Sequence, residues 1–372
     1  MREDVLVLVG TCSEAIKAAP VALELAAHPR RRPVLVHSGQ HVGVVEQALA
    51  PFGLAPDAVL PVRRGAGGQA ELVSALLPRL GALLAGVRPA AVVVQGDTTT
   101  ALCGTLAAFW RGVPVAHLEA GPRTASPEAG NRLLVARLAA LHLAPTAAAA
   151  AALRAENVPA DTTVVTGGTA VDAARLIAAS GLRPTSPVLR GLEGTADRLV
   201  LLAPHHRESW GAPLDGVLGA VRSLLERHRG VRAVLPAHPN PGVRAQVAAA
   251  LGGHPAVTVT EPLDHPDLVW LLRRAELVLT DSGGIQEQAP TFGVPVLLTR
   301  DSTERREAVD AGCAWLVGTE RARVLDAADR VLSGELRVRD RANPFGDGYA
   351  AARVCAALDR VLRARPPMAT AS

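Results

Sequence analysis

The chain has 372 residues, with 39 Lys and Arg against 35 Asp and Glu, a formal net charge of +4 and a pI near 9.3. That length exceeds one ordinary core and fits two domains, and 49% hydrophobic with 20% charged residues matches a globular chain. Aromatics are only 2% and no basic run is longer than Arg30-Arg31-Arg32, so the clustered charge and stacking rings of a nucleic-acid surface are missing. A small anionic ligand suits the mild positive excess better.

The N-terminus runs straight into a strand-like DVLVLVG with no signal segment. No stretch reaches the roughly 18 uncharged apolar residues of a membrane span, and the Ala-rich run 147–152 reads as a helix bounded by Pro145 and Arg154. Cys12, Cys103, Cys313 and Cys355 are scattered without CxxC spacing. They argue against a zinc site or a disulfide framework and for a reducing compartment. The expectation is a cytoplasmic protein with neither membrane nor nucleic-acid partners.

Along the chain, short β-branched runs alternate with longer helical stretches. Strands are expected at 5–9, 33–37, 91–94, 114–118, 162–166, 198–203, 232–236, 256–259, 276–280, 295–299 and 314–317, and between them helical stretches such as 14–27, 69–86, 100–110, 213–228, 241–251, 265–274 and 284–292. The strands are near-continuous apolar runs, the pattern of parallel strands buried on both faces. Repeated βα units imply an α/β protein of doubly wound parallel sheets, with two Rossmann-like halves and a cleft between them. The segment 180–197, rich in Gly, Pro, Ser and Thr, reads as a hinge. It separates a first domain (1–180) from a second (181–350), and a final helix (351–372) is expected to pack back on the first. Neither GxGxxG nor GxxxxGK[ST] is present, so dinucleotide and P-loop readings have no anchor.

Ligands of open parallel sheets bind beyond the carboxyl ends of the strands, and there the polar clusters fall. Gly10-Thr11-Cys12-Ser13-Glu14 follows the first strand and opens a helix containing Lys17. Gly96-Asp97-Thr98-Thr99-Thr100 follows 91–94, and His117-Leu118-Glu119 closes 114–118, with Glu128 and Arg132 just beyond. In the second half His205-His206-Arg207-Glu208 follows 198–203, and Asp281-Ser282-Gly283-Gly284 follows 276–280. Ser-Gly-Gly at a helix start can offer N–H groups to an anion; equally, Ser282 can simply cap the helix. Asp97 and its threonines also read as an ordinary N-capped turn, and a single His205 as a structural histidine. A carboxylate such as Glu119 at a buried strand end, however, needs a partner or a shifted pKa. The convergence of three carboxylates and a histidine favours a catalytic site.

In order, the segments GTxxEAIKxAPV, SGQH, GDTTT, HLEAGxRT, SPExxNR, LHLAPT, VTGxTxxDA, HHRES, HPNP, EPLD, LTDSGGIQE, GVPVL and DSTERxEAVxAG, spanning about residues 7–320, resemble the non-hydrolysing UDP-N-acetylglucosamine 2-epimerases. The resemblance implies a glycosyltransferase-B-like fold, a homodimer, a UDP-sugar substrate, and no metal or other cofactor. It implies that UDP is eliminated to give 2-acetamidoglucal and re-added after protonation at the other face. Asp97, Glu119 and Glu128 match the acid/base positions. Ser282, Gly283, Gly284, Arg305 and His205 match groups that stabilise the departing phosphates, and Lys17 and Arg132 would balance the carboxylates. Gln288 stands at the ribose-binding position. Gln40, His41 and His238 are candidates for a second, activating sugar-nucleotide site.

Departures mark a divergent branch, read as serving amino-sugar or antibiotic biosynthesis. Cys12 and Ser13 replace the Arg-Pro of GTRPE, Gln288 replaces the second Glu of IQEE, Leu268 replaces an aromatic near the uracil, and Gly43 stands where a polar residue is common. Competing readings are a hydrolysing relative that releases UDP and free N-acetylmannosamine, a glycosyltransferase on the same fold, and a binding protein with degraded catalysis. The last is opposed by the retained Asp97, Glu119, Glu128 and His205.

Overall fold

The structure, a computed structural model, describes residues 2–62, 65, 68–121, 128–338 and 342–364, without the side chain of Glu128. It divides into two compact units, Met1–Leu176 with Phe345–Ser372, and Ile177–Pro344.

In the first unit strands β1 (Glu3–Val9), β2 (Arg31–His37), β3 (Ala58–Val59), β4 (Ala91–Gln95), β5 (Val115–Leu118), β6 (Leu141–Ala144) and β7 (Thr163–Val165) alternate with helices. These are α1 (Cys12–Ala27), α2 (Val44–Leu49), α3 (Gln69–Val87), α4 (Thr99–Phe109), α5 (Glu128–Leu138), α6 (Ala147–Ala155) and α7 (Thr169–Ala179). The second unit contains α8 (Pro187–Arg190), β8 (Arg198–Ala203), α9 (Ala212–Arg227), β9 (Val231–Pro236), α10 (Pro241–Leu251), β10 (Val257–Thr260), α11 (His265–Arg274) and β11 (Ala275–Thr280). It continues with α12 (Gly283–Gln288), β12 (Val296–Leu298), α13 (Arg306–Asp310), β13 (Ala314–Leu316) and α14 (Arg321–Leu332). The chain then returns to the first unit as α15 (Ala350–Ala364).

Both sheets are parallel throughout, ordered β3-β2-β1-β4-β5-β6-β7 and β10-β9-β8-β11-β12-β13. The alternation along β1 shows why its sequence is apolar without a break. Val5, Val7 and Val9 pack under α1 and α15, whereas Leu6 and Leu8 face Leu72, Leu76, Leu80 and Leu84 of α3 on the other side. Each such side chain contributes about 1.5–3 kcal/mol on burial. By length and composition α3 could cross a membrane, yet its four leucines at i, i+4 spacing lie in this core. A third core in the second unit joins β8, β9 and β11 to α9, α10 and α14.

The sequence missed β3 and β6. The first has two residues, and the apolar run of the second is interrupted by buried His142. In both sheets the strand order reverses next to the first strand of the unit, between β1 and β4 and again between β8 and β11. Loops leaving such neighbouring strands diverge and leave a crevice at their carboxyl ends. These are the loops that carry Thr11–Lys17, Asp97, His205 and Ser282.

Candidate active site

In the first unit the carboxylate of Glu119 is gripped from two sides. Lys17 Nζ donates to Oε1 at 2.6 Å and the Gln95 amide donates to Oε2. Lys17 projects from the second turn of α1, Gln95 ends β4, and Glu119 follows β5, so three neighbouring elements meet at one carboxylate. Glu119 also adopts a left-handed backbone, φ 57°, uncommon for any residue but glycine. Strain of this kind costs of order 1–3 kcal/mol and concentrates where a side chain must be aimed.

The turn carrying Asp97 is pinned at each residue. Gly96 N–H donates to Leu118 O and Gly96 O accepts from His117 Nε2; Asp97 O accepts from the Asn131 amide, and the Thr98 hydroxyl donates to Glu14. Thr98 also caps α4 by accepting from Ala101 N–H. Capping is therefore Thr98's task, and the Asp97 carboxyl is not needed for it. Burial drives the pKa of His117 down to about 3, with the bond to Gly96 opposing, and that of His142 down to about 4. Both rings are thus neutral and hold the loop by hydrogen bonding and packing, 6.5 Å apart edge to face.

Gly10 closes the same region. A Cβ there would lie 2.2 Å from Thr100 Oγ1 and 2.4 Å from Ser38 Oγ, so only glycine lets these hydroxyls meet, 2.8 Å apart, over the end of β1. The Thr100 hydroxyl also donates to Gln40 Oε1, and His41 N–H donates to Gly10 O. Gln40 and His41 therefore belong to the first unit, while His238, the third proposed member of a second site, sits in the other unit edge to face with Trp210.

Arg132 departs from expectation. Its guanidinium forms a bidentate pair with Glu156, at 2.7 and 3.0 Å, and not with Glu119. Glu156 follows α6, where the planar fork finds a matching carboxylate; among the described residues, Lys17 is the cation paired with Glu119. Lys17 is also the single lysine of the chain. Glu128 opens α5, but its side chain lies outside the described residues.

In the second unit the buried carboxylate of Asp281 receives three hydrogen bonds, from the backbone N–H groups of His205 and His206 and from the Ser209 hydroxyl. It thereby ties the loop after β8 to the loop after β11. The His205 ring keeps an exposed edge, and desolvation by the surrounding protein still depresses its pKa, with Asp281 opposing. Ser282 occupies the N-cap of α12, yet its hydroxyl makes no capping bond; its N–H is held by Thr280 Oγ1. Arg305 lies directly over Gly283, where a Cβ would come within 2.4 Å of the guanidinium carbon. Arg305 is itself oriented by Glu287 at 2.6 Å and Glu304 at 2.5 Å. Nothing lies within 4 Å of a Cβ placed on Gly284, so an incoming oxygen could reach that backbone. Gln288 is turned inward, its carbonyl on His265 Nε2 and its amide on Gly284 O.

Sequence reasoning passed over the partners that do the holding: Gln95, Glu156, Glu287 and the roles of Glu14 and Asp281. Gln95 could have been noticed as a polar end to an apolar strand. Glu156 gives no local signal.

Two doubly wound parallel sheets, with a held carboxylate at one switch point and a glycine–arginine cradle at the other, define a nucleotide-sugar enzyme of the glycosyltransferase-B-like class. The sequence profile described as UDP-N-acetylglucosamine 2-epimerase matches residues 23–359, and the chain belongs to that family of isomerases. It is similar to the probable UDP-N-acetylglucosamine 2-epimerase of Ralstonia nicotianae, 41% identical over 368 residues, covering 95% of this chain and 98% of the relative. Among solved structures it resembles the putative epimerase of Listeria monocytogenes (37% identity, TM-score 0.90, 98% of each chain). It also resembles the Neisseria meningitidis UDP-GlcNAc 2-epimerase bound to UDP-GlcNAc (32% identity, TM-score 0.87, 96% of this chain and all of that one).

Proposed function

We propose that the chain interconverts UDP-N-acetylglucosamine and UDP-N-acetylmannosamine, or a closely related pair, by eliminating and re-adding UDP. A carboxylate takes the C2 proton, the bond from C1 to the phosphate oxygen breaks, and a C1–C2 double bond forms, giving 2-acetamidoglucal and UDP. A carboxylic acid on the other face then returns a proton to C2 while the phosphate oxygen re-forms its bond to C1. Proton transfers fall to Asp97, Glu119 and Glu128, which act as a coupled set. The departing diphosphate is stabilised by Arg305, His205 and the Ser282-Gly283-Gly284 backbone.

The observation that carries this reading is the grip on Glu119. A carboxylate fixed by one ammonium and one amide, on a strained backbone beside the pinned Asp97 turn, is preorganised for proton transfer rather than for packing. The reading includes a homodimer. Its support is an apolar surface on the packed pair α4 and α5, where Phe109, Trp110, Leu133 and Leu134 stand 52, 67, 42 and 54% exposed.

The test is to incubate the protein with UDP-N-acetylglucosamine and follow products by ¹H and ³¹P NMR. The diphosphate resonances of a second UDP-N-acetylhexosamine, with no free sugar, are expected. Stoichiometric UDP with free N-acetylmannosamine would assign the chain to the hydrolysing reaction instead.

A further inference from the structure

Glu14 is buried, 1% exposed, on the first turn of α1, and the reaction just described does not use it. Its spacing from Thr11 is that of a capping box, in which the N-cap hydroxyl and the third-residue carboxylate bond each other's backbone N–H. The contacts extend beyond that box. Glu14 N–H donates to Thr11 Oγ1, but the carboxylate reaches past Thr11, accepting from Gly10 N–H at 2.9 Å and from the Thr98 hydroxyl at 2.6 Å. The second contact crosses from α1 to the residue that follows Asp97 and caps α4.

We propose that Glu14 is a positioning residue for the proton-transfer machinery: α1 acts as a ruler that holds the Asp97 turn through Glu14 and, one helical turn on, the Glu119 carboxylate through Lys17. Residues three apart on a helix lie on one face, about 5–6 Å apart at Cβ, so the two grips are rigidly related. His117 and Asn131 hold the Asp97 turn through its backbone carbonyls, and Leu118 O holds it through the Gly96 N–H. Glu14 alone among these couples the turn to the helix that carries Lys17. Both of its partners donate, so the position needs two acceptor oxygens, which a carboxylate has and an amide has not. Its burial would be costly in a merely local cap, since desolvation holds the carboxyl up to about 7 against the opposing bonds from Thr98, Gly10 and Thr11, the Thr98 bond being the largest of these.

The inference rests on the epimerase reading for its kinetic effect but not for its structural one, and the experiment separates the two. In Glu14→Gln and Thr98→Val, each removing one end of the bond, kcat should fall about 10–100-fold, the scale of a misplaced catalytic group. KM and UDP affinity should stay within about threefold, because the nucleotide groups lie in the other unit. Thr98→Ser, which keeps the hydroxyl, should restore most of kcat. The double variant Glu14→Gln/Thr98→Val should be no slower than either single one, as for two ends of one interaction. Hydrogen exchange of the full-length protein supplies a readout independent of turnover. Amides of residues 96–101 should exchange at least about tenfold faster in Glu14→Gln and in Thr98→Val than in the wild type.

Unchanged exchange in both variants, or additive losses of kcat in the double variant, would overturn the positioning role even with an active wild type. An inactive wild type, with exchange altered as expected, would overturn the epimerase reading and leave the coupling of α1 to the Asp97 turn standing. Should Glu14→Gln fail to fold, Thr98→Val and Thr98→Ser carry the same comparison, and equal kcat and exchange in those two would sink it.

Discussion

Gly283→Ala isolates the phosphate half of the account. Gly283 has no positive φ, so alanine meets no backbone obstacle. Its Cβ, however, would stand 2.4 Å from Cζ and Nη1 and 2.9 Å from Nε of Arg305, distances at which something must move. The movable partner is the tip of a flexible arginine, so the fold should survive with a melting temperature close to wild type. Arg305 would leave Glu287 and, with it, the position over the Ser282-Gly283 backbone. A hydrogen bond to a charged group contributes about 1.5–3 kcal/mol, and 1.4 kcal/mol is about tenfold, so UDP should bind roughly 10–150-fold more weakly. Isothermal titration with UDP measures this directly, with kcat at saturation as the companion assay. Because Arg305 also stabilises the departing diphosphate, kcat at saturation should fall as well, though less than when Asp97 or Glu119 is replaced. Undiminished UDP affinity together with an unchanged kcat would show that Arg305 does not hold the diphosphate.

Three further outcomes are expected. Asp97→Asn and Glu119→Gln should each cut turnover by about 10²–10⁴-fold with UDP affinity nearly unchanged, read by steady-state kinetics and titration. Asp281→Asn leaves one acceptor where three donors converge; unsatisfied buried donors cost about 1–3 kcal/mol each, so urea melts should show that loss together with weaker UDP binding. His142 stays neutral in the fold down to about pH 4, whereas the unfolded chain takes up its proton near 6.5. The unfolded state therefore binds more protons at this site in that window, and the contribution of His142 to stability falls by up to about 1.4 kcal/mol per pH unit as the solution is acidified. Glu14, raised to about 7, acts with the opposite sign between 4.5 and 7. His142→Leu removes only the histidine part, so the gap in unfolding free energy between variant and wild type should shift by that slope in the variant's favour; parallel pH curves would refute it.

The fold was legible because parallel strands buried on both faces write themselves as β-branched runs, as Val5 to Val9 do, with helices of ordinary length between. The strands that failed were short or mixed: β3 with two residues, and β6 with a histidine in its apolar run. The placement of the polar clusters was legible for a topological reason, since residues that follow apolar strands lie at the carboxyl ends of a parallel sheet. Partnerships were not. Lys17 and Arg132 looked equivalent as cations near carboxylates, and only the tertiary structure assigns one to Glu119 and the other to Glu156. Ser282 could not be judged as cap or anion ligand until its hydroxyl was seen to make no cap. Glu14 looked like a helix-start residue because its long-range partner, Thr98, is 84 residues away.

The central claim is that C2 is deprotonated and reprotonated by carboxylates that exchange with solvent. Its direct test is turnover of UDP-N-acetylglucosamine in D₂O, with the C2 position of the product read by NMR and mass spectrometry. Elimination and re-addition predicts product carrying one solvent-derived deuterium at C2. Product epimerised at C2 but retaining the substrate's own hydrogen there would contradict the account and require a route in which that hydrogen never leaves the active site.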